Sequence, residues 1–379
     1  MFYYRFRPMN QLTIKELLYD EVYFSYPDEL NDPMDGIINY IFSEDYPKWK
    51  GLLDYVWKEL NVDSAKYADY FARKSPISLR ELAFNTATFF KEISPLDKTE
   101  DKSLVQLLYT YLKIKIQDSI PPEGCSVSFS KKHDDILMWS HYTGKHNGFC
   151  LIFRSIDDEL KCCPNRKKVL LSNKEYSSAW MRHNYKFKDV SYEVKNKNTD
   201  AFLLFPACVY GRQISKEEHT NYWNNLEDIF LTKSPCWSYE EEVRLHIPSY
   251  GSNFERERLS PLARIFHYDN SQLAGVIYGS RMSDSDKKII REILLRKSYE
   301  RHMKRDGDTY IINIVAFEAS FNEEQHIISN IPVEIFECGK IIDKTSPDFC
   351  EKLSSWEKGE AHLVQYGEKG FSSKKIILD

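Results

Sequence analysis

The chain has 379 residues, 14% of them aromatic, with 25 Tyr and 22 Phe beside 14 Gly and 15 Pro. That composition excludes a fibrous or low-complexity chain and leaves room for one large domain or two ordinary ones. Its 57 acidic and 52 basic side chains give a formal charge of -5, so no global positive field attracts DNA, RNA or anionic lipid, and a nucleic-acid partner would need a local basic patch.

The eight cysteines form no CxxC pair and have no zinc-ligand spacing, which predicts reduced, buried thiols. The opening MFYYRFRPMNQL lacks the apolar core of a signal peptide, and no run approaches the roughly 20 apolar residues that cross a bilayer. The expectation is a cytoplasmic protein with no membrane partner.

Taken in chain order, Phe2 to Phe6 reads as an aromatic strand. Thr13 and Glu16 have the spacing of a helix capping box, and Val22 to Ser25 reads as a second strand. Pro27 and the Asn31-Asp32-Pro33 turn then stop regular structure. From about residue 45 to 118 the apolar spacing becomes helical, as in Leu104, Leu107, Leu108, Tyr111 and Leu112. Pro121, Pro122 and Gly124 interrupt the chain before strands at 126–130 and 149–153.

A helix is expected around 215–231 and strands at 243–247 and 274–278. A second capped helix opens at Ser283 with Asp286 three residues on. Beyond 310–315 the sequence turns polar and reads as irregular. The predicted fold is α+β, with a mixed, largely antiparallel sheet: one core domain over 1–320, a helical insertion at about 45–118, and a C-terminal extension over 321–379.

Five polar-aromatic clusters stand out along this chain. Arg5 beside Tyr4 could grip a phosphate or ribose through its planar donors, although taken alone it fits an edge-strand salt bridge better. Tyr23 and Ser25 lead into Asn31, Asp32 and Asp35, which suit a structural turn or the ordering of a sugar. Ser128 and Ser130 precede Met138-Trp139-Ser140-His141-Tyr142, His146 and Gly148. No G-x-S-x-G elbow surrounds these serines, which argues against a serine hydrolase.

In the fourth cluster Lys233 precedes Trp237-Ser238-Tyr239-Glu240-Glu241-Glu242-Val243-Arg244. On an extended chain Glu240, Glu242 and Arg244 share one face and Glu241 takes the other. The fifth, Gly279-Ser280-Arg281, would offer backbone N–H groups and a cation to an anion, without the G-x-G-x-x-G or P-loop pattern.

Together these pieces resemble the bacterial domain-of-unknown-function 2971 family, a likeness that supplies fold relatives and no reaction. A more distant resemblance is to ADP-ribosyltransferases, on Arg5, Ser25 and the Glu240-x-Glu242 pair in that order. That resemblance implies NAD as substrate, with Glu242 and Glu240 at the ribose hydroxyls, stabilising the cation left as nicotinamide departs. It also implies Tyr23, Tyr26, Trp139 or Tyr142 stacked on nicotinamide, and Tyr4, Arg5, Ser25, Asn31, Asp32 and Arg244 around the cofactor.

On this reading the protein is an ADP-ribosyltransferase or NAD glycohydrolase, a bacterial toxin or antiphage effector with a protein or nucleic-acid acceptor. Two other readings compete. One is a metal-dependent nuclease in which Asp32, Asp35, Glu240 and Glu242 hold Mg²⁺ and His141 moves protons. The other is a non-catalytic module that senses a ligand.

Overall fold

The computed structural model describes residues 1–93, 102–120, 123–163, 165–172, 175–181, 183–193, 197–210, 215–247, 258–301, 309–310, 312–322, 327–367 and 370–378. A nine-stranded sheet organises them. Its order is Lys188–Asp189, Glu242–Ile247, Cys125–Ser130, Phe2–Arg7, Phe149–Arg154, Leu273–Tyr278, Ile314–Asn322, Ile327–Glu337 and Lys340–Asp343. Only Leu273–Tyr278 and Ile314–Asn322 pair in parallel; the other neighbours are antiparallel. The fold is α+β with a mixed, largely antiparallel sheet.

The central strand shows why the sheet is covered on both sides. FCLIFR is buried at every position, which explains its unbroken apolar run, because alternation is expected only where one face meets water. Phe149, Leu151 and Phe153 face a core shared with Tyr3, Phe129, Ile290 and Leu294. Cys150 and Ile152 face the opposite core with Phe6, Trp139, Ile277 and Trp356. Helix Asp284–Glu300 covers the first side, and helices Ile136–Tyr142 and Phe349–Glu357 cover the second.

Helices Tyr46–Val56, Ala65–Lys74, Leu79–Ile93 and Lys102–Ser119 build a separate third core around Trp49, Trp57, Phe71 and Leu108, joined by Phe202 and Phe205 from later in the chain. Ser283 caps its helix as its spacing predicts, and Ser215 caps the helix Lys216–Phe230. The breaker at Pro121 and Pro122 and residues 94–101 of the helical stretch lie outside the described residues.

Four expectations are corrected. The first helix spans Gln11–Leu18 and is capped by Asn10, with Thr13 closing the box rather than opening it. The second strand ends at Tyr23, and Ser25 forms an isolated bridge to Ser126. The stretch read as an irregular tail contains two sheet strands, a helix and the hairpin Glu360–Gly367 with Gly370–Ile377. Exposed strands with polar outer faces hide from a hydrophobic pattern. Of the cysteines, all free, Cys125, Cys150 and Cys162 are buried while Cys163, Cys208, Cys236, Cys338 and Cys350 are exposed. No helix among the described residues is long and apolar enough to cross a membrane.

Trp49 anchors the helical core. It is fully buried, stacks on Phe71, and donates its indole N–H to Ser75 Oγ at 2.9 Å. Trp49→Ala is expected to cost about 3–5 kcal/mol in urea denaturation; a loss below about 1 kcal/mol would mean that this core contributes little.

Candidate functional site

Three neighbouring strands bring the distant clusters together. Tyr4 and Glu242 both pair with Ser130 in register, and Arg244 pairs with Ser128. Residues 4, 130 and 242 therefore form one row across the sheet. The turn after Tyr23 lies over this row, tied down by the Ser25–Ser126 bridge.

At its centre Arg244 is fully buried. Its Nε donates to Glu242 Oε1 at 2.7 Å and its Nη2 to Glu242 Oε2 at 3.0 Å. Nη1 and Nη2 grip the two oxygens of Asp35 at 2.9 and 2.5 Å, and Nη1 also reaches the Phe230 carbonyl at 3.1 Å. Lys233, also buried, lies under the Trp237 ring and donates to Glu240 Oε2 at 2.5 Å and Glu242 Oε2 at 3.2 Å, with Asp35 at 3.9 Å.

Three carboxylates thus share two cations. Burial raises the Glu240 carboxyl above its ordinary range, and Lys233 and Tyr142 only partly offset that. For Glu242 burial acts in the same direction, but Arg244 and Lys233 outweigh it and hold the carboxyl below the ordinary range. Lys233 is pushed down by burial and pushed up more strongly by Glu242 and Glu240, so it stays charged.

The extended-strand expectation for this segment is corrected. Glu240 ends a 3-10 turn over Pro235–Glu240, Glu241 adopts a left-handed φ of 40°, and the strand begins at Glu242. The two flanking carboxylates meet on Lys233 because of that turn, while Glu241 faces outward and pairs with Lys132 at 2.6 Å. Single-residue alternation could not reveal it.

A pocket of about 300 Å³ opens above the cluster. Eight of the sequence-predicted residues line it: Tyr4, Arg5, Tyr23, Ser25, Asn31, Tyr142, Glu240 and Glu242. Lys233 and Asp35 join them. Tyr142 donates to Glu240 Oε1 at 2.5 Å and accepts from Asn31 Nδ2 at 2.7 Å, so the loop around Asn31 is fastened to the carboxylate cluster.

Arg5 occupies another part of the wall. Only 8% exposed, it lies 5.8 Å from the centre of the Phe129 ring, and no carboxylate among the described residues pairs with it. Burial, with neighbouring Arg7, pushes its pKa down to about 10. A guanidinium left in this state is ready to receive an anion.

The remaining predicted residues lie elsewhere. Trp139 is fully buried, donates to the His133 carbonyl at 2.8 Å and meets Phe6 edge-on, so it supports the pocket from behind. His141 is exposed outside the pocket, with Nδ1 3.1 Å from the Tyr239 hydroxyl. Asp32 is buried and accepts from the Met34 N–H at 2.9 Å as a turn residue. Arg244 lies beneath the pocket. The N–H groups of Gly279 and Arg281 donate to the carbonyls of Gly148 and His146, so two of this turn's backbone donors are already used within the fold. Tyr192, whose hydroxyl accepts from the Glu242 N–H at 2.8 Å, had no motif to mark it.

The fold and site define an α+β protein with a polar-aromatic pocket on a buried carboxylate–cation cluster. Residues 138–245 match the family model described as Protein of unknown function (DUF2971). The segment includes Tyr142, Lys233, Glu240, Glu242 and Arg244; Arg5, Ser25, Asn31 and Asp35 reach the pocket from outside it. No curated protein and no solved structure matches the chain.

Arg244→Met leaves Asp35 and Glu242 buried beside one lysine and is expected to destabilise the protein by about 3–5 kcal/mol at pH 7. Because Glu242 is depressed to about 2 in the folded state, its stabilisation is fully present above the ordinary value of about 4.5 and is lost progressively as pH falls from there through about 2. The penalty measured by urea denaturation should therefore shrink at pH 4. Equal penalties at both pH values would contradict the pairing.

Proposed function

We propose that the pocket binds NAD and cleaves its nicotinamide–ribose bond, as an ADP-ribosyltransferase or NAD glycohydrolase. One observation carries this reading: a single pocket holds a buried guanidinium, Arg5, with no carboxylate partner among the described residues, together with carboxylates on Lys233 and tyrosine rings. Arg5 suits a phosphate oxygen, Tyr4, Tyr23 and Tyr142 suit flat rings, and a carboxylate suits ribose hydroxyls.

The C1′–N bond breaks with its electron pair leaving on nicotinamide. The positive charge left on the ribose is stabilised by the nearby carboxylate until a nucleophile adds. With water as nucleophile, NAD⁺ and H₂O give ADP-ribose, nicotinamide and a proton; with a protein or nucleic-acid acceptor the ADP-ribosyl group is transferred to the acceptor's nucleophile instead, which gives up its proton.

The geometry favours Glu240 over Glu242 for contact with substrate. The Glu242 oxygens already take three hydrogen bonds from Arg244 and Lys233. Glu240 takes one from Lys233 and one from Tyr142 at the pocket wall. The metal-nuclease reading has weaker support, because oxygens it needs on Asp35, Glu240 and Glu242 are held by Lys233 and Arg244, and Asp32 does not line the pocket. A toxin or antiphage role would follow from NAD depletion inside a cell.

Purified protein is expected to release nicotinamide from NAD with EDTA present. Glu240→Gln should lower kcat by about 10²–10³, and activity should fall as pH drops through the raised range of Glu240. With labelled NAD and a cell extract, label transfer marks a transferase and release alone marks a glycohydrolase. NAD left intact in both settings rejects the proposal, and EDTA-sensitive loss of RNA or DNA would replace it with the nuclease.

A further inference from the structure

A second cavity, larger than the first at about 390 Å³, lies between the helical insertion and the sheet. Tyr40, Phe84 and Phe230 bring three aromatic rings to its wall, with Ile38 and Leu226 between them. Phe84 is 74% exposed and Ile120, also in the lining, is 44% exposed. Apolar side chains left in water around an enclosed space of this size are the setting of a small-molecule site.

The two carboxylates of the wall are already neutralised, and the Arg80 side chain lies at the exposed rim. Glu227 accepts from Lys188, and Glu123 pairs with Arg258 at 2.9 Å. The His246 side chain is 97% buried, being 3% exposed. Its ring stacks on Phe230 at 4.2 Å, Nδ1 lies 3.3 Å from Glu227, and Nε2 has no partner among the described residues. An occupant that is flat and uncharged, with one hydrogen-bonding group, fits these walls.

The cavity also shares its construction with the first pocket. Glu29, Leu30, Asn31 and Asp35 line the first pocket, while Pro27 and Gly36 to Ile38 of the same loop line the second. Gly36 has a φ of 66°, and a Cβ added there would lie 2.9 Å from Pro27 Cγ and 3.3 Å from the Phe230 ring. Asp35 and the Phe230 carbonyl both hold Arg244. Pressure on Phe230 or Gly36 therefore acts on groups that fix the carboxylate cluster.

We propose that this cavity is a second ligand site, for an uncharged molecule of one or two fused aromatic rings with one hydrogen-bonding group, and that its occupancy changes ligand affinity in the first pocket through Asp35 and Phe230. Binding at the cavity is independent of the NAD reading. Only the coupling needs a ligand in the first pocket.

The test titrates indole, quinoline and 2-naphthol into the full chain by calorimetry. At least one is expected to bind saturably with a Kd below about 1 mM. Ile38→Trp, which fills the cavity, and Phe84→Asp, which charges its exposed rim, should each weaken that binding by about tenfold or more. Phe84→Asp changes a side chain that is largely in water, so its thermal midpoint should stay near wild type.

Saturating probe should then change the Kd of ADP-ribose by about threefold or more, and ADP-ribose should change the probe's Kd by the same factor. No saturable binding by any of the three probes, or binding indifferent to both variants, overturns the site. Probe binding with an unchanged ADP-ribose affinity overturns the coupling. If ADP-ribose does not bind while the probe does, the first-pocket reading fails and the second site stands.

Discussion

A fully buried arginine must be satisfied where it sits, because an unpaired guanidinium in the interior carries a desolvation cost of several kcal/mol. Arg244 is met by Asp35, Glu242 and the Phe230 carbonyl, and these come from a loop, a sheet strand and the end of helix Lys216–Phe230. That requirement fixes the loop around Asp35 over the sheet, positions Glu242 beside Lys233, and so leaves Glu240 at the pocket wall. The pocket's acidic side is a consequence of satisfying one cation.

The arrangement divides two glutamates by role. Glu242 takes donors from both cations and serves as a fixed anion between Arg244 and Lys233, while Glu240 accepts from Tyr142, whose hydroxyl in turn accepts from Asn31, and is the carboxylate whose charge is easier to change. Neighbouring acids whose environments push their proton affinities apart take different chemical tasks. Arg5 belongs to neither group. Its strand places it in the pocket without a carboxylate partner among the described residues, which is a poor device for stability and a good one for holding an anion.

Much of this was legible in the residues themselves. The unbroken apolar run at 149–153 marks the doubly covered strand, and the serine at 283 marks the start of a helix. The polar-aromatic clusters supply most of the pocket wall. What the sequence concealed depends on three-dimensional closure. The left-handed turn at Glu241 breaks the extended pattern that alternation assumes. Trp139 and His141 share a motif with Tyr142, yet only the last lines the pocket, because the seven-residue helix Ile136–Tyr142 turns one side chain to the core and another to solvent. The strands after residue 314 were hidden by polar outer faces, and Tyr192 acts through a hydroxyl that no spacing rule anticipates.

The central claim is that Arg5 and the carboxylate cluster belong to one nucleotide-binding pocket. Calorimetric titration of ADP-ribose into wild type and Arg5→Met tests it most directly, since the substitution keeps an apolar side chain of similar length and removes only the unpaired cation. The account predicts saturable binding to wild type, and binding weakened by about tenfold or more, roughly 1.4 kcal/mol, in a variant that remains folded. Equal affinity in the two proteins would contradict it.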